Sequence, residues 1–419
     1  NKALETIAGK INFKVKIMDN FYRTINIILL CVLSIFNQTV VAQDEGPLFG
    51  VQRWDMFSGK GATQQQELGY LPGGQGFLAP EEWHHRAPFF TRRTKDVDWI
   101  DHPKNAGPLW FNHPFDFDVL QEAMDQEIDY ATDGGVDFWI FNGPAYTVIA
   151  NGYHLHNNLD AYLLNTRQDK VKFVTALYGH PSIPYGRTKV NLMLDEVIGY
   201  MQLPEWQTVK DGRPLLPVLW PIGFKDHLAA QTDPNEQMTL AEFVQLIRDR
   251  VAAVGLQDPY LVGQQTAHTY NDAAEIAAAG FDAVSDYAGG YGGITATRDD
   301  SPTYAQATDT MLQTWVDNYL NSGVDVDYVP AMQIGNYAWP RAEGDTWYHY
   351  QLPEPGDITS RLQKTLAFVE ENKAQIPAEV IFSYAWNEHS ESGAINPTMG
   401  DAPNYIPNTR WIDEVLAGR

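Results

Sequence analysis

The sequence predicts a single (β/α)8 barrel with long βα loops, and three observations carry that prediction. Eight short runs rich in Val, Ile, Phe and Tyr recur along the chain, most are followed by a stretch of helical spacing, and no Gly-rich phosphate loop follows the first run. Near-continuous apolar strands alternating with amphipathic helices belong to a parallel sheet covered by helices. Eight such units favour closure into a barrel over an open doubly wound sheet, and the missing phosphate loop disfavours the dinucleotide-binding form of the latter.

In order, strands are expected at 48–53, 136–141, 171–177, 215–219, 259–263, 283–286, 328–333 and 380–386. Helices are expected between them at 117–132, 159–166, 192–201, 240–254, 272–279, 304–321 and 358–373, and a final one at 412–416 completes the eighth unit. Thr239, with Glu242 three residues on, and Asp357 before Ile358 read as helix starts.

Residues 1–42 read differently. A basic stretch with Lys10, Lys14, Lys16 and Arg23 runs into the apolar segment 27–36, and Val40-Val41-Ala42 supplies a small-residue cleavage site. An apolar core of about ten residues is too short to span a bilayer as a helix. Residues 1–42 are therefore expected to be a signal peptide, with 1–17 an upstream extension because Met18 opens a conventional signal by itself. The catalytic barrel is expected over 43–419, secreted or periplasmic, with no integral membrane segment in the mature chain. The single cysteine, Cys31, falls inside the signal. The mature chain then has no thiol, which excludes disulfides, cysteine nucleophiles and thiolate metal sites.

The formal charge of the 419 residues is −24, and removing the five basic and two acidic residues of positions 1–42 takes it to about −27. That excess disfavours nucleic acid and anionic membrane as partners, although it serves equally as plain solubility.

In a barrel, function is read at the C-terminal ends of the strands and the loops after them. Those positions hold Trp54 and Asp55, Asn142, Tyr178 and His180, Trp220, Gln264 and Gln265 with His268, Asp286 and Tyr287, Asn336 and Trp339, then Trp386, Asn387 and Glu388. Pyranose C–H faces pack on Trp and Tyr rings, and amides and carboxylates share hydrogen bonds with sugar hydroxyls. The set therefore points to a polysaccharide or oligosaccharide. Any single aromatic is explained as well by packing within the barrel or under the helices.

The sharpest local signal is the eighth run, Val380-Ile381-Phe382-Ser383-Tyr384-Ala385-Trp386-Asn387-Glu388-His389-Ser390-Glu391, where a buried stretch ends in acids. Two carboxylates three residues apart at a barrel mouth can converge on one sugar, and glycoside cleavage needs one group to protonate the leaving oxygen and another to act at the reacting end. From spacing alone, Glu388 could equally cap or ion-pair locally and Glu391 could be a solvated loop acid.

The segment Trp386-Asn387-Glu388-His389-Ser390-Glu391-Ser392-Gly393, with Ala394-Ile395-Asn396-Pro397-Thr398 after it, resembles the last-strand signature of glycoside hydrolase family 99. It is similar too to the wider family-99-like group that includes WbsX-labelled proteins and borders on family 71. Glu127-Ile128-Asp129-Tyr130-Ala131 leading into Gly135-Val136-Asp137-Phe138-Trp139 resembles that group's second strand. The resemblance implies a retaining reaction without a glycosyl-enzyme ester. Glu388 would draw the proton from the sugar's 2-hydroxyl, giving a 1,2-anhydro intermediate, and Glu391 would be the general acid and then the base for water. Three departures from the pattern, His389, Ser392-Gly393 and Asn396, fall where the resemblance implies subsite residues, so the family's mannosidic linkage does not carry over.

Alternatives stay open. Within the same fold, Asp286, expected opposite Glu388 across the mouth, would make an ordinary two-carboxylate glycosidase, or would bind sugar hydroxyls. From another class, the chain would be a non-catalytic carbohydrate-binding barrel, which the intact acid pair opposes. Surface-polysaccharide assembly is opposed by the signal peptide. The pairs His84-His85 and His154/His156 fit no zinc hydrolase pattern, there is no Gly-x-Ser-x-Gly elbow, and no metal or cofactor is expected. The long stretch 56–116 is expected to build part of the cleft, with Arg86, Arg92 and Arg93 as candidates for an anionic or sulfated substituent, or as ordinary surface ion-pair partners.

Overall fold

In the computed structural model the described residues are 46–54, 70–71, 74–75, 78, 85–89, 117–142, 156–178, 185–209, 212–265, 270–287, 301–336, 350–399 and 406–419. The expected signal peptide, Asp55, His84, Arg92, Arg93, His154, His180, His268 and Trp339 lie outside them.

Eight strands form the barrel: β1 (Leu48–Trp54), β2 (Phe138–Asn142), β3 (Lys172–Tyr178), β4 (Arg213–Leu219), β5 (Tyr260–Gln265), β6 (Ala283–Asp286), β7 and β8 (Val380–Tyr384). Strand β7 is split into Asp327–Val329 and Ala331–Gln333 because Pro330 has no N–H for the ladder. Its first segment pairs with β6 and its second with β8, and the Pro330 carbonyl still accepts from Phe382 N–H at 2.8 Å. Every barrel pairing is parallel, and β8 returns to β1 with Leu48 opposite Val380 and Gly50 opposite Phe382. The ring is therefore closed, as the sequence predicts.

Alternation along β1 divides the molecule into its layers. Gly50 faces inward, where a Cβ would lie 2.1 Å from the Phe138 ring, so its lack of a side chain lets Phe138 cross the barrel interior. Phe138 meets Phe382 there with ring centroids 6.3 Å apart. Arg53, on the other face, enters the layer between barrel and helices.

Helices α1 (Phe117–Asp133), α2 (His156–Leu164), α3 (Arg187–Met201), α4 (Pro221–Ala229), α5 (Leu240–Ala253), α6 (Tyr270–Ala278), α7 (Tyr304–Trp315), α8 (Asp357–Glu371) and α9 (Arg410–Gly418) are interleaved with the strands. Thr239 and Thr303 each begin a helix with a reciprocal capping box, closed by Glu242 and Gln306. Asp357 is the first helical residue of α8, not its cap, which is Gly356 in the left-handed region. Helix α4 has no apolar period strong enough to announce it; Pro221 at its first position was the available signal. The expected helix 304–321 changes at Val316 into a π-helical turn that runs to Leu320. Buried Arg361 of α8 ties this region to β7, donating to the Gln333 and Tyr304 carbonyls at 2.7 and 3.0 Å. No helix among the described residues is long and apolar enough to cross a membrane.

Candidate active site

Beyond β8 the chain makes a tight reversal that carries both acids. Ala385 N–H donates to the Gly393 carbonyl at 2.9 Å, Ile395 N–H returns to the Ala385 carbonyl at 3.1 Å, and Asn396 N–H to the Trp386 carbonyl at 2.9 Å. Glu388 and Glu391 sit inside this loop, whose tip is closed by Gly393 N–H to the Glu388 carbonyl at 2.9 Å and Ser392 N–H to the His389 carbonyl at 3.1 Å. Ser392 takes a left-handed conformation, φ 56°. Its carbonyl comes so close to Gly335, just after β7, that a Cβ there would lie 1.9 Å away. Glycine at 335 is thus what lets the reversal rest against the end of β7.

The loop is joined to β1 at two points. Trp386 N–H donates to the Gln52 carbonyl at 2.6 Å, and Asn387 grips the Trp54 backbone with its side-chain amide, accepting from the N–H at 3.0 Å and donating to the carbonyl. Asn387 is therefore a structural clamp with both amide atoms engaged at Trp54.

Of the two acids, Glu388 is buried and Glu391 is half-buried. The Glu391 carboxylate accepts a hydrogen bond from the Tyr384 hydroxyl. The Tyr384 ring packs edge-on against Tyr287 at 5.3 Å, and the Tyr287 hydroxyl accepts from Trp54 Nε1. Trp54 meets Tyr178 at 5.5 Å, and Tyr178 meets Trp220 at 5.1 Å. Five aromatic side chains from the ends of β1, β3, β4, β6 and β8 thus form one continuous cluster with Glu391 at its edge. Four of them, Trp54, Tyr178, Trp220 and Tyr287, are residues the sequence singles out.

The polar side chains at the same strand ends are buried and only partly used. Gln52 Nε2 donates to the Tyr287 carbonyl at 3.0 Å and Gln264 Nε2 to the Asp286 carbonyl at 3.3 Å. Gln52 Oε1, Gln264 Oε1, Gln265 Oε1, Trp220 Nε1 and both amide atoms of Asn142 are buried and make no hydrogen bond. Each such group is destabilising by about 1–3 kcal/mol when it has no partner. Those at the mouth can make hydrogen bonds with a ligand.

Two expected sugar contacts face the other way. Trp386 is fully buried in the helix layer, packed on Trp139 at 5.0 Å with its Nε1–H donated to Glu127 at 3.2 Å, and presents no ring face to a ligand. Asp286 does not stand opposite Glu388: it is buried among the outer elements, accepting from the Tyr319 hydroxyl of the π-helical turn and, at 3.4 Å, from Tyr328 of β7. Burial pushes its carboxyl up to about 6, against the pull of these two hydroxyls. For Asp286 the cause is strand alternation, which turns 286 outward while the neighbouring Tyr287 faces the mouth. Trp386 lies past the end of β8, where the start of the reversal seats its ring on Trp139 and Glu127 in the helix layer. The two-carboxylate alternative thereby loses its geometry.

The three family departures lie on the underside of the reversal. His389 Nδ1 is 2.9 Å from the Arg86 carbonyl, and burial pushes the imidazole down to about 3, so it is neutral. Arg86 itself is bonded to Ser392 Oγ, which makes it a brace for the turn. Asn396 is held by Glu127. A cavity of about 350 Å³ lies beside these three residues, closed by Leu352–Glu354 and Asn408–Trp411 and lined by none of the five clustered aromatics. Sequence reasoning missed Gln52 and Tyr384. Gln52 was findable by stepping two residues back along β1 from Trp54, which keeps to the same face.

No family model matches the sequence, and no curated protein matches it. Among solved structures, one described as a glycoside hydrolase-like protein has TM-score 0.55 at 12% identity, over 89% of this chain and 93% of that one. The family 99 endo-α-mannosidase from Bacteroides thetaiotaomicron gives 0.48 at 11%, over 88% and 94%. A broad-specificity family 5 endoglucanase from Clostridium acetobutylicum gives 0.36 at 10%, over 77% and 94%. The first of these likenesses shows a shared barrel fold. Among the described residues no group of three or more His, Cys, Asp or Glu could hold a metal ion.

Proposed function

We propose that the protein is a glycoside hydrolase that binds a polysaccharide or oligosaccharide across the aromatic cluster and cleaves it with Glu388 and Glu391. The observation that carries the reading is Asn142, whose amide is wholly buried at a strand end with neither oxygen nor nitrogen hydrogen-bonded. A sugar hydroxyl both donates and accepts, so it satisfies such an amide. The adjacent Trp and Tyr rings offer the apolar faces that pyranose C–H groups need.

The roles of the acids rest on the resemblance of the Asn387-Glu388-x-x-Glu391 element to family 99. Glu388 takes the proton from the 2-hydroxyl, O2 attacks the anomeric carbon, and the glycosidic bond breaks as Glu391 protonates the leaving oxygen. Glu391, now a carboxylate, then takes a proton from water. The water oxygen opens the 1,2-anhydro ring at the anomeric carbon, and Glu388 returns its proton to O2. Two inversions give retention. Tyr384 holds the Glu391 carboxylate on the cluster side of the loop. Export from the cytoplasm fits an enzyme of polysaccharide breakdown.

The test is kinetic and stereochemical. Glu388→Gln and Glu391→Gln should each lower turnover by at least about a hundredfold with the fold intact, and proton NMR of the first product should show the retained anomer. Wild-type rates in either variant reassign the pair; an inverted first product rejects the anhydro route.

A further inference from the structure

The reversal that carries Glu388 and Glu391 is gripped from behind by one carboxylate. Glu127 of α1 is 3% exposed, and its Oε1 accepts from Trp386 Nε1 at 3.2 Å and from Asn396 Nδ2 at 2.8 Å. Those two residues flank the reversal, one just before Asn387 and the other after Ile395. The other oxygen, Oε2, accepts from Arg53 at 2.7 Å, and Arg53 belongs to β1, one residue before the Trp54 that Asn387 clamps. The Arg53 guanidinium lies over the Trp139 ring, 4.8 Å from its centroid, and Trp139 in turn packs on Trp386. First strand, first helix and both stems of the acid-bearing loop therefore meet at a single buried anion.

Geometry of this kind transmits. Both stems depend on the same oxygen, and a carboxylate with two acceptor oxygens can hold Arg53 on one side and two N–H donors on the other, whereas an amide of the same shape cannot. An amide at 127 must turn its NH2 either toward Arg53 or toward the donors of Trp386 and Asn396. One side of the junction is lost in either orientation.

We infer that Glu127 is a positioning residue for the catalytic pair, fixing the placement of Glu388 and Glu391 without touching substrate. The catalytic half of this inference rests on the proposed glycosidase reading; the anchoring half does not. Displacement of reacting groups by about 1 Å costs up to about a hundredfold in rate, so a loosened reversal acts on turnover rather than on sugar affinity.

The experiment compares the full chain with Glu127→Gln and with the milder Asn396→Ala, which leaves the Arg53–Glu127 pair intact. Hydrogen–deuterium exchange is read without ligand and activity on whichever glycan the wild type cleaves. The expected result is faster exchange confined to 386–396 in both variants, with a kcat lowered about tenfold or more and KM within about twofold. Unchanged exchange over 386–396, or exchange raised throughout the barrel, overturns the anchoring. Local exchange changes with kcat unaltered overturn the positioning role. If the wild type cleaves no glycan, the glycosidase reading fails while the exchange comparison still decides whether Glu127 holds the loop.

Discussion

Asn387 holds Trp54 by both backbone groups: its side-chain oxygen accepts from the Trp54 N–H at 3.0 Å and its nitrogen donates to the Trp54 carbonyl. The relationship ties the end of the eighth strand to the end of the first at the mouth, where the ladder between them has already run out. Asn387→Ala leaves a backbone N–H and carbonyl without these partners, and should lower stability by about 1–3 kcal/mol in urea unfolding. A midpoint equal to that of wild type would mean that water or another group replaces the clamp.

Gly335 and Ser392 set a steric limit on the same region. A methyl at position 335 would lie 1.9 Å from the Ser392 carbonyl oxygen, so Gly335→Ala must push the reversal away from β7. Overpacking of this kind costs about 1–3 kcal/mol. The expected outcome is a lowered melting temperature together with lost turnover; full activity in this variant would show that the acids do not need the present position of the turn.

Asp286 predicts a pH signature. Burial raises its carboxyl from 3.8 to about 6 in the folded chain, so the folded state binds the proton more tightly than the unfolded one. Its contribution to stability is complete below the unfolded value, fades as pH rises through about 6, and amounts to about 3 kcal/mol. Asp286→Asn does not titrate there. Relative to wild type it should gain stability between about pH 4 and pH 8, measured as the difference in unfolding free energy at the two ends. A parallel pH dependence in both proteins would place the titration elsewhere.

Asn142 separates a ligand site from a structural one. Since its amide makes no hydrogen bond, Asn142→Ala should leave unfolding free energy unchanged or slightly raised while weakening glycan binding about tenfold or more, read by calorimetry. Lost stability with unaltered binding would assign the residue to the fold.

Much of this was legible in advance, for identifiable reasons. The eight apolar runs carry the period that makes strands, so the barrel and its order follow from the sequence, and Thr239 with Glu242 marks a helix start by chemistry alone. Trp54, Tyr178, Trp220 and Tyr287 were reached because they lie at strand ends. What strand ends do not reveal is facing. Trp386 and Asp286 have the residue types of a sugar site, yet alternation turns Asp286 outward and the reversal beyond β8 seats Trp386 in the helix layer, while Gln52 and Tyr384 lie two positions upstream of Trp54 and Trp386. Glu127 was beyond reach for a different reason: its three partners come from positions 53, 386 and 396, and only the closed barrel brings them to one carboxylate.

The most direct test of the account is release of reducing ends from a panel of mannans, glucans, fucans and sulfated algal galactans by the purified protein, with Glu391→Gln beside it. The account predicts product from at least one glycan with wild type and at least about a hundredfold less with the variant. Equal release by both proteins, or glycan binding by wild type with no cleavage anywhere on the panel, would contradict it.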